Sequence, residues 1–354
     1  MHALNHYRML GRSGLRVSPL CFGTMTMGQH REWATPPDDC RRMIDMYADA
    51  GGNFLDTANI YHSEEVVGEC IADRRDRFVV STKYTFGMDK EDANYSGNNR
   101  KSLRRGVEDS LRKLKTDYID LLFVHFWEFR TPVEELMRGL DDVIASGKVL
   151  YIAASNFPAW KIAQANTLAD QRGWNRFIGV QARYSLAERT AERDIVPMSM
   201  DLGLTVLPWG PLGSGVLSGK YKAEDKVAAD AKVEADGTRR PQVVKTGLTD
   251  RNLAIVSVVD TVAQELGATH AQVALRWLMQ KPGRPLPVIG ARTPEQLEDN
   301  MGAVSIELSD EQMARLDKVS GIELGYPHDI YQRLAFMRGA VDGSHNVEGG
   351  WEVS

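Results

Sequence analysis

Cysteine is scarce in this chain. Its 354 residues contain three, Cys21, Cys40 and Cys70, an odd number set far apart with no CxxC. That spacing excludes a disulfide framework and a thiolate zinc site, and it suits a reducing compartment. Long apolar runs are missing too: no window approaches the roughly 18 apolar residues of a membrane span. Residues 1–10 hold no stretch apolar enough for a secretory signal, so the expected setting is the cytosol. The eight histidines show no metal-ligand spacing, and no metal is expected. Basic charge is not in excess either. The formal net charge of −5 argues against a nucleic-acid partner. The cluster Arg100-Lys101, Arg104-Arg105 and Arg112-Lys113 falls in a helical pattern and reads as a solvated face.

What is present is an ordinary globular composition, 43% hydrophobic and 26% charged, enough for a sizeable core. Residues 7–17, with Gly11-Arg12-Ser13-Gly14 at the centre, predict a small β-hairpin. Beyond it strands and helices alternate. Strands are expected at 20–23, 53–56, 78–83, 118–125, 149–155, 177–181, 204–207 and 286–289. Amphipathic helices are expected at 37–50, 64–73, 101–114, 133–146, 159–171 and 192–202, then at 252–266, 270–280 and 293–303. Asp39 is a candidate cap for the first helix, and Thr131-Pro132 opens the fourth. Such alternation implies a parallel sheet. Eight strands without an internal repeat, and without GxGxxG after the first, favour a closed (β/α)8 TIM barrel over a doubly wound sheet. The expected organisation is one domain: hairpin 7–17, barrel 18–304, and an accessory helix (310–319) with a tail inside 305–354. The charged, Ala-rich stretch 222–249 is expected to be a mobile loop.

Each apolar run ends in a residue with chemical or ligand-holding capacity. In order these are Gly23-Thr24, Asp56, Lys83, His125, Ser155-Asn156, Gln181, Trp209 and Gly290-Ala291-Arg292. Parallel barrel strands would gather them on one rim, where barrel enzymes carry their sites. Asp56, Tyr61, Lys83 and His125 form the central group. A phenol alone, with a pKa near ~10, is a reluctant proton donor and acceptor, but an ammonium within about 4–6 Å favours its ionised form. Asp56 can keep Lys83 protonated and oriented, and His125 can hydrogen-bond a substrate oxygen. Ser155-Asn156 and Gln181 can hold a carboxamide in one orientation, although Ser155-Asn156 before Pro158 also suits a helix start. Trp209 can stack on a ring or fill core. The segment from Gly210 to Tyr221 fails as a P-loop, because Ser214 replaces a glycine and Tyr221 stands where Ser or Thr must bind magnesium. Its glycines still permit close approach of backbone amides to a pyrophosphate. Residues 289–300 enter a helix whose N-terminus could bind phosphate beside Arg292; an ordinary Thr293-Pro294 start with a solvated Arg292 is the alternative.

As a set, Asn53-Phe-Leu-Asp-Thr-Ala-Asn-Ile-Tyr61, Ser81-Thr-Lys83 and Phe123-Val-His125 resemble the signature segments of the aldo-keto reductases, NADPH-dependent and of the bacterial type. The resemblance runs from Tyr7 to about Val304. It implies a catalytic tetrad of Asp56, Tyr61, Lys83 and His125, with Tyr61 as general acid and base. It also implies cofactor contacts from Gly23, Thr24, Met25 and Asp56, and a grip on the nicotinamide amide by Ser155, Asn156 and Gln181 with Trp209 stacking. Gly210, Pro211, Leu212, Gly215, Gly219 and Lys220 would cover the diphosphate. Gly290, Arg292, Gln296 and Asn300 would hold the adenosine phosphate, which favours NADPH/NADP+.

Met25, Met27, Trp33, Tyr84, Phe86, Trp127 and Phe129 are the candidate walls for a small-molecule carbonyl substrate, of a planar or apolar kind. Two departures from the family stand out. Tyr61 runs directly into His62-Ser63-Glu64, where many relatives have a longer glycine-rich connection, and Gly210 stands where serine is frequent. The implied activity is reduction of an aldehyde or ketone by hydride transfer from NADPH. Its alternatives are a slow NADPH-binding regulatory subunit, similar to potassium-channel β subunits, and an enzyme working mainly as an alcohol dehydrogenase.

Overall fold

The computed structural model describes residues 3–28, 34–89, 91–221 and 247–331. Trp33, most of the expected 222–249 loop and the tail beyond 331 lie outside the described residues. Strands β1 (Arg8–Met9) and β2 (Arg16–Val17) form the antiparallel hairpin. Eight parallel strands follow: β3 (Cys21–Gly23), β4 (Phe54–Asp56), β5 (Val79–Tyr84), β6 (Ile119–Val124), β7 (Val149–Ser155), β8 (Phe177–Arg183), β9 (Thr205–Trp209) and β10 (Val288–Gly290). Each pairs with its sequence neighbour, and β10 returns to β3. The Leu286 N–H donates to the Val206 carbonyl at 2.9 Å and bridges the remaining gap. The eight-stranded parallel barrel is therefore observed, with the expected order.

Register places the chemistry-bearing residues at one end. Gly290 pairs with Gly23, Gly23 with Asp56, Asp56 with Ser81, and Ser155 with Gln181. Inside the barrel Cys21, Phe54, Leu121, Phe123, Ala153, Leu207 and Val288 pack as one cluster. Leu10 and Val17 of the hairpin are fully buried in that same cluster, so the hairpin seals the opposite end. Its turn needs a glycine: Gly11 has φ +54°, and a Cβ there would lie 2.0 Å from the Ile178 carbonyl oxygen.

The outer ring comprises α1 (Pro37–Asp49), α2 (Glu64–Ile71), α3 (Arg100–Leu114), α4 (Val133–Ala145), α5 (Ala159–Arg172), α6 (Ile195–Leu202), α7 (Asp250–Leu266), α8 (His270–Gln280), α9 (Pro294–Met301) and the accessory α10 (Asp310–Ser320). In α1 the buried residues Cys40, Met43, Ile44, Tyr47 and Ala48 follow the i, i+3, i+4 spacing of a one-sided helix. Asp39 does not cap it. Pro36 holds the cap position and Pro37 starts the helix, which puts Asp38 and Asp39 in the first turn, where negative charge suits the helix dipole. The fourth helix likewise begins one residue after Pro132. The sixth starts at Ile195 rather than 192, because the Glu192 carboxylate takes hydrogen bonds from Tyr184 (2.6 Å) and Arg189 (2.8 Å) in a preceding 3₁₀ turn. Arg189 also reaches the Asp317 carbonyl and Ser320 Oγ (3.0 and 2.8 Å), pinning α10 to the barrel. Among the described residues no helix is long and apolar enough to cross a membrane.

Candidate active site

Four side chains from three strand ends and one turn meet at the upper rim. Asp56 closes β4, Lys83 lies near the end of β5, and His125 follows β6. Tyr61 sits on the 3₁₀ turn Asn59–Tyr61, after which His62 adopts a left-handed φ of 58° and redirects the chain into α2. Lys83 is fully buried. Its Nζ donates to Asp56 Oδ2 at 2.5 Å and to the Thr57 carbonyl at 2.7 Å, and lies 4.9 Å from the centroid of the Tyr61 ring. The other Asp56 oxygen accepts from Ser81 Oγ (2.7 Å) and Gln181 Nε2 (3.2 Å). The imidazole of His125 stands edge-on to the Tyr61 ring, with centroids 5.9 Å apart.

Electrostatics give these groups different protonation. Burial opposes the Lys83 ammonium, but the Asp56 carboxylate and then the Tyr61 phenol outweigh it and hold its pKa above the ordinary lysine value. The imidazole of His125 is pushed down to about 3, first by burial and then by the Lys83 charge. It is therefore neutral at physiological pH. Its Nδ1 is buried and has no hydrogen-bond partner among the described residues. A fixed ammonium, a phenol beside it and a neutral imidazole can together receive a carbonyl oxygen and exchange a proton with it.

A cavity of about 600 Å³ opens from these residues. Asp56, Tyr61 and His125 line one part of it, with Asn156, Gln181 and Trp209 beside them. The Trp209 indole donates to Asn156 Oδ1 at 3.1 Å, and Asn156 Nδ2 donates to the His125 carbonyl at 2.9 Å. Gly23, Met25, Gly210, Pro211, Leu212, Gly215 and Lys220 also face the cavity, as do Gly290, Arg292, Gln296 and Asn300. The loop after β9 makes repeated left-handed turns at Gly210, Gly213, Ser214 and Gly215. At the far side Thr293 caps α9, the Gln296 amide oxygen accepts from the Arg292 N–H (3.0 Å), and Asn300 Nδ2 donates to the Gly290 carbonyl (3.2 Å). The donor set suits a dinucleotide: amides and an indole at the inner end, bent glycine-rich backbone with Lys220 in the middle, and Arg292 at a helix start.

Some expected contacts lie elsewhere. Thr24, Ser155 and Gly219 do not form cavity wall. The Thr24 hydroxyl is buried against the Asp56 carbonyl (3.0 Å) and Ser63 Oγ (2.9 Å). The Ser155 hydroxyl accepts from Asn156 Nδ2 at 3.1 Å. Gly219 ends the loop with φ +76° where a Cβ would lie 2.8 Å from His270 Nδ1. Of the expected substrate walls, Phe86 is not in the cavity wall but stands beside it, its ring edge-on to His125 at 4.9 Å. Met27, Tyr84 and Trp127 are not in the wall. Met27 is buried with Cys40 and Met43 under α1. Tyr84 faces α3, where a Cβ on Gly106 would lie 3.0 Å from its own Cβ. Trp127 packs on Phe157, with centroids 5.5 Å apart. Phe129 is largely exposed.

Sequence reading missed Thr26, Ala271 and Val288 in the cavity wall, and did not single out as contacts Ser214, Ser218, Ile289 and Asp299 within the 210–221 and 289–300 segments it assigned to the cofactor. Asp299 had a signal, since it lies three residues after Gln296 and shares its helix face. Thr26, whose hydroxyl donates to the Ala291 carbonyl at 2.6 Å, and Ala271 carried none.

The aldo/keto reductase family profile matches residues 19–320. A protein named norsolorinic acid reductase stcV, from Emericella nidulans, is 40% identical over 342 residues, covering 92% of this chain and 84% of the relative. Aryl-alcohol dehydrogenase GME11368 of Pestalotiopsis microspora is 38% identical over 354 residues, covering 96% and 88%. A norsolorinic acid reductase of Aspergillus flavus is 38% identical over 341 residues, covering 92% and 83%. These three relatives are fungal, and the expected bacterial type finds no support in them.

Proposed function

The chain belongs to the aldo/keto reductase family, and from that premise we propose that it interconverts an aryl carbonyl compound and its alcohol with NADPH/NADP+. The observation that supports this most is the buried Lys83 ammonium, held by Asp56 at 2.5 Å and 4.9 Å from the centroid of the Tyr61 ring, directly behind the cavity wall that Asp56, Tyr61 and His125 form. The aryl class draws on the name of the aryl-alcohol dehydrogenase relative and on Phe86, whose ring stands edge-on to the His125 imidazole.

In this reading the Tyr61 phenol gives its proton to the carbonyl oxygen, and the resulting phenolate is stabilised by Lys83 until solvent returns a proton. Asp56 keeps Lys83 charged and fixed in place. His125, neutral, orients the carbonyl oxygen through its ring edge without competing as an acid. Bound NADPH would supply the hydride to the carbonyl carbon. Asn156 and Gln181 would hold its carboxamide, Trp209 would cover its ring, the 210–220 loop would receive the diphosphate, and Arg292 with Gln296 would take the adenosine phosphate.

The test is NADPH oxidation by purified protein across a panel of aryl aldehydes, aryl ketones, sugars and aliphatic carbonyls. Turnover highest with aryl compounds, and abolished in Tyr61→Phe while that variant still binds NADPH, is the expected result. Tight NADPH binding with no turnover across the panel would overturn the enzymatic reading in favour of a regulatory one.

A further inference from the structure

Tyr61 is carried by a seven-residue segment, 57–63, that leaves β4 and enters α2 with little regular structure of its own. Its first half is tied to β5 and the loop beyond: the Thr57 N–H and hydroxyl both donate to the Ser81 carbonyl (2.8 and 2.9 Å), and Asn59 Nδ2 donates to the Phe86 carbonyl (2.9 Å). Its second half ends in His62-Ser63, which runs straight into Glu64 at the start of α2. There the Thr24 N–H and hydroxyl both donate to the Asp56 carbonyl, at 2.9 and 3.0 Å. With the Thr24 proton so placed, Ser63 is the donor in the 2.9 Å contact between the two hydroxyls. One residue later the Glu64 carboxylate accepts from Thr82 Oγ1 at 2.6 Å, next to Lys83 on β5. Thr24, Ser63 and Thr82 are fully buried and Glu64 is 1% exposed.

We propose that the Thr24–Ser63 hydroxyl pair, backed by the Glu64–Thr82 hydrogen bond, positions Tyr61 against Lys83. Ser63 lies two residues beyond Tyr61, and its anchor Thr24 hangs from the carbonyl of Asp56, the residue whose side chain holds Lys83. Phenol and ammonium are thus referred to one common point, Asp56, by its main chain and its side chain. His62, at φ 58°, supplies the reversal that lets so short a connection reach Thr24. These are positioning residues, because none of them forms cavity wall. A hydroxyl in water makes equivalent bonds to solvent, but a buried one that loses its partner leaves the segment free to shift, and small displacements at a reacting group are costly in rate.

The inference rests on Tyr61 being the proton donor, so Tyr61→Phe is measured alongside. Thr24→Val, Ser63→Ala and the double variant are compared for kcat, carbonyl KM, NADPH dissociation constant and the pH profile of alcohol oxidation. Each single variant is expected to lose about ten-fold in kcat with both binding constants within about two-fold of the parent. The double variant should be no slower than the slower single one, and the alkaline-side requirement for phenol ionisation should move to higher pH. Thr24→Ser, which keeps the hydroxyl, should restore turnover. Ser63→Cys, nearly isosteric, replaces Ser63→Ala should that variant not fold, and it is expected to show the same profile shift. Unchanged kcat and pH profile in these variants, beside an inactive Tyr61→Phe, would overturn the positioning role alone. An active Tyr61→Phe would overturn the reading it stands on.

Discussion

Lys83 and Asp56 form an ion pair of 2.5 Å inside the barrel, both side chains shielded from solvent. Removing one partner of such a pair leaves an uncompensated buried charge, which typically costs about 3–5 kcal/mol, whereas removing both with apolar replacements is far milder. Asp56→Asn is therefore expected to unfold at markedly lower urea concentration than the parent, and Asp56→Leu/Lys83→Met to recover much of that loss while staying inactive. Because the folded pKa of Lys83 is raised, its contribution is complete below the ordinary lysine value and is lost as pH rises through the folded value. Urea midpoints measured across the alkaline range should fall in the parent and stay flat in the double variant.

His125 has the opposite dependence. Its folded pKa, about 3, lies below the ordinary value of 6.5, so protonation favours the unfolded chain. Stability from this residue is complete above pH 6.5 and declines as pH falls toward 3, by up to roughly 5 kcal/mol over the whole interval at 1.36 kcal/mol per unit. His125→Gln should flatten the slope of unfolding free energy between pH 6.5 and 4. In kinetics, no limb near pH 6.5 should belong to His125. A limb there that disappears in His125→Gln would contradict the buried neutral imidazole.

The rim was legible because each strand is an apolar run closed by a polar or glycine residue, and parallel pairing puts such closures side by side. Lys83 and Asp56 follow from that rule alone. Tyr84 could have been excluded by the same rule: neighbours on a strand face opposite ways, so if Lys83 turns into the barrel Tyr84 must turn toward α3. Met27 and Trp127 had no such protection, because loop side chains follow no period. Thr24 looked like a ligand contact for its place after β3, but its hydroxyl is consumed by Asp56 and Ser63, partners distant in sequence. The capping boxes Thr269/Gln272 and Ser309/Gln312 were readable from spacing and went unread.

Arg292 separates NADPH from NADH in the proposed reading, since only the phosphorylated coenzyme offers a dianion to a guanidinium at the start of α9. Arg292→Leu should raise KM for NADPH by about 10–100-fold, equivalent to roughly 1.4–2.8 kcal/mol, and leave KM for NADH nearly unchanged. Initial rates with both coenzymes measure this directly. An equal rise for both would place the residue outside phosphate recognition.

Asn156 joins two functions that substitution can separate. Its backbone is left-handed, φ 54°, a conformation asparagine tolerates better than most side chains, while its amide bridges the Trp209 indole and the His125 carbonyl. Asn156→Gly keeps the backbone easy and removes all three side-chain bonds, the one to Ser155 Oγ included; Asn156→Ala removes the same bonds and adds strain of about 1–2 kcal/mol. Thermal melting should therefore rank parent above Gly and Gly above Ala. Both variants should shift Trp209 fluorescence by the same amount, because the indole loses the same acceptor in each. If Ala proves as stable as Gly, backbone strain is not what asparagine relieves at this position, and its retention rests on the bridge between indole and imidazole strand alone.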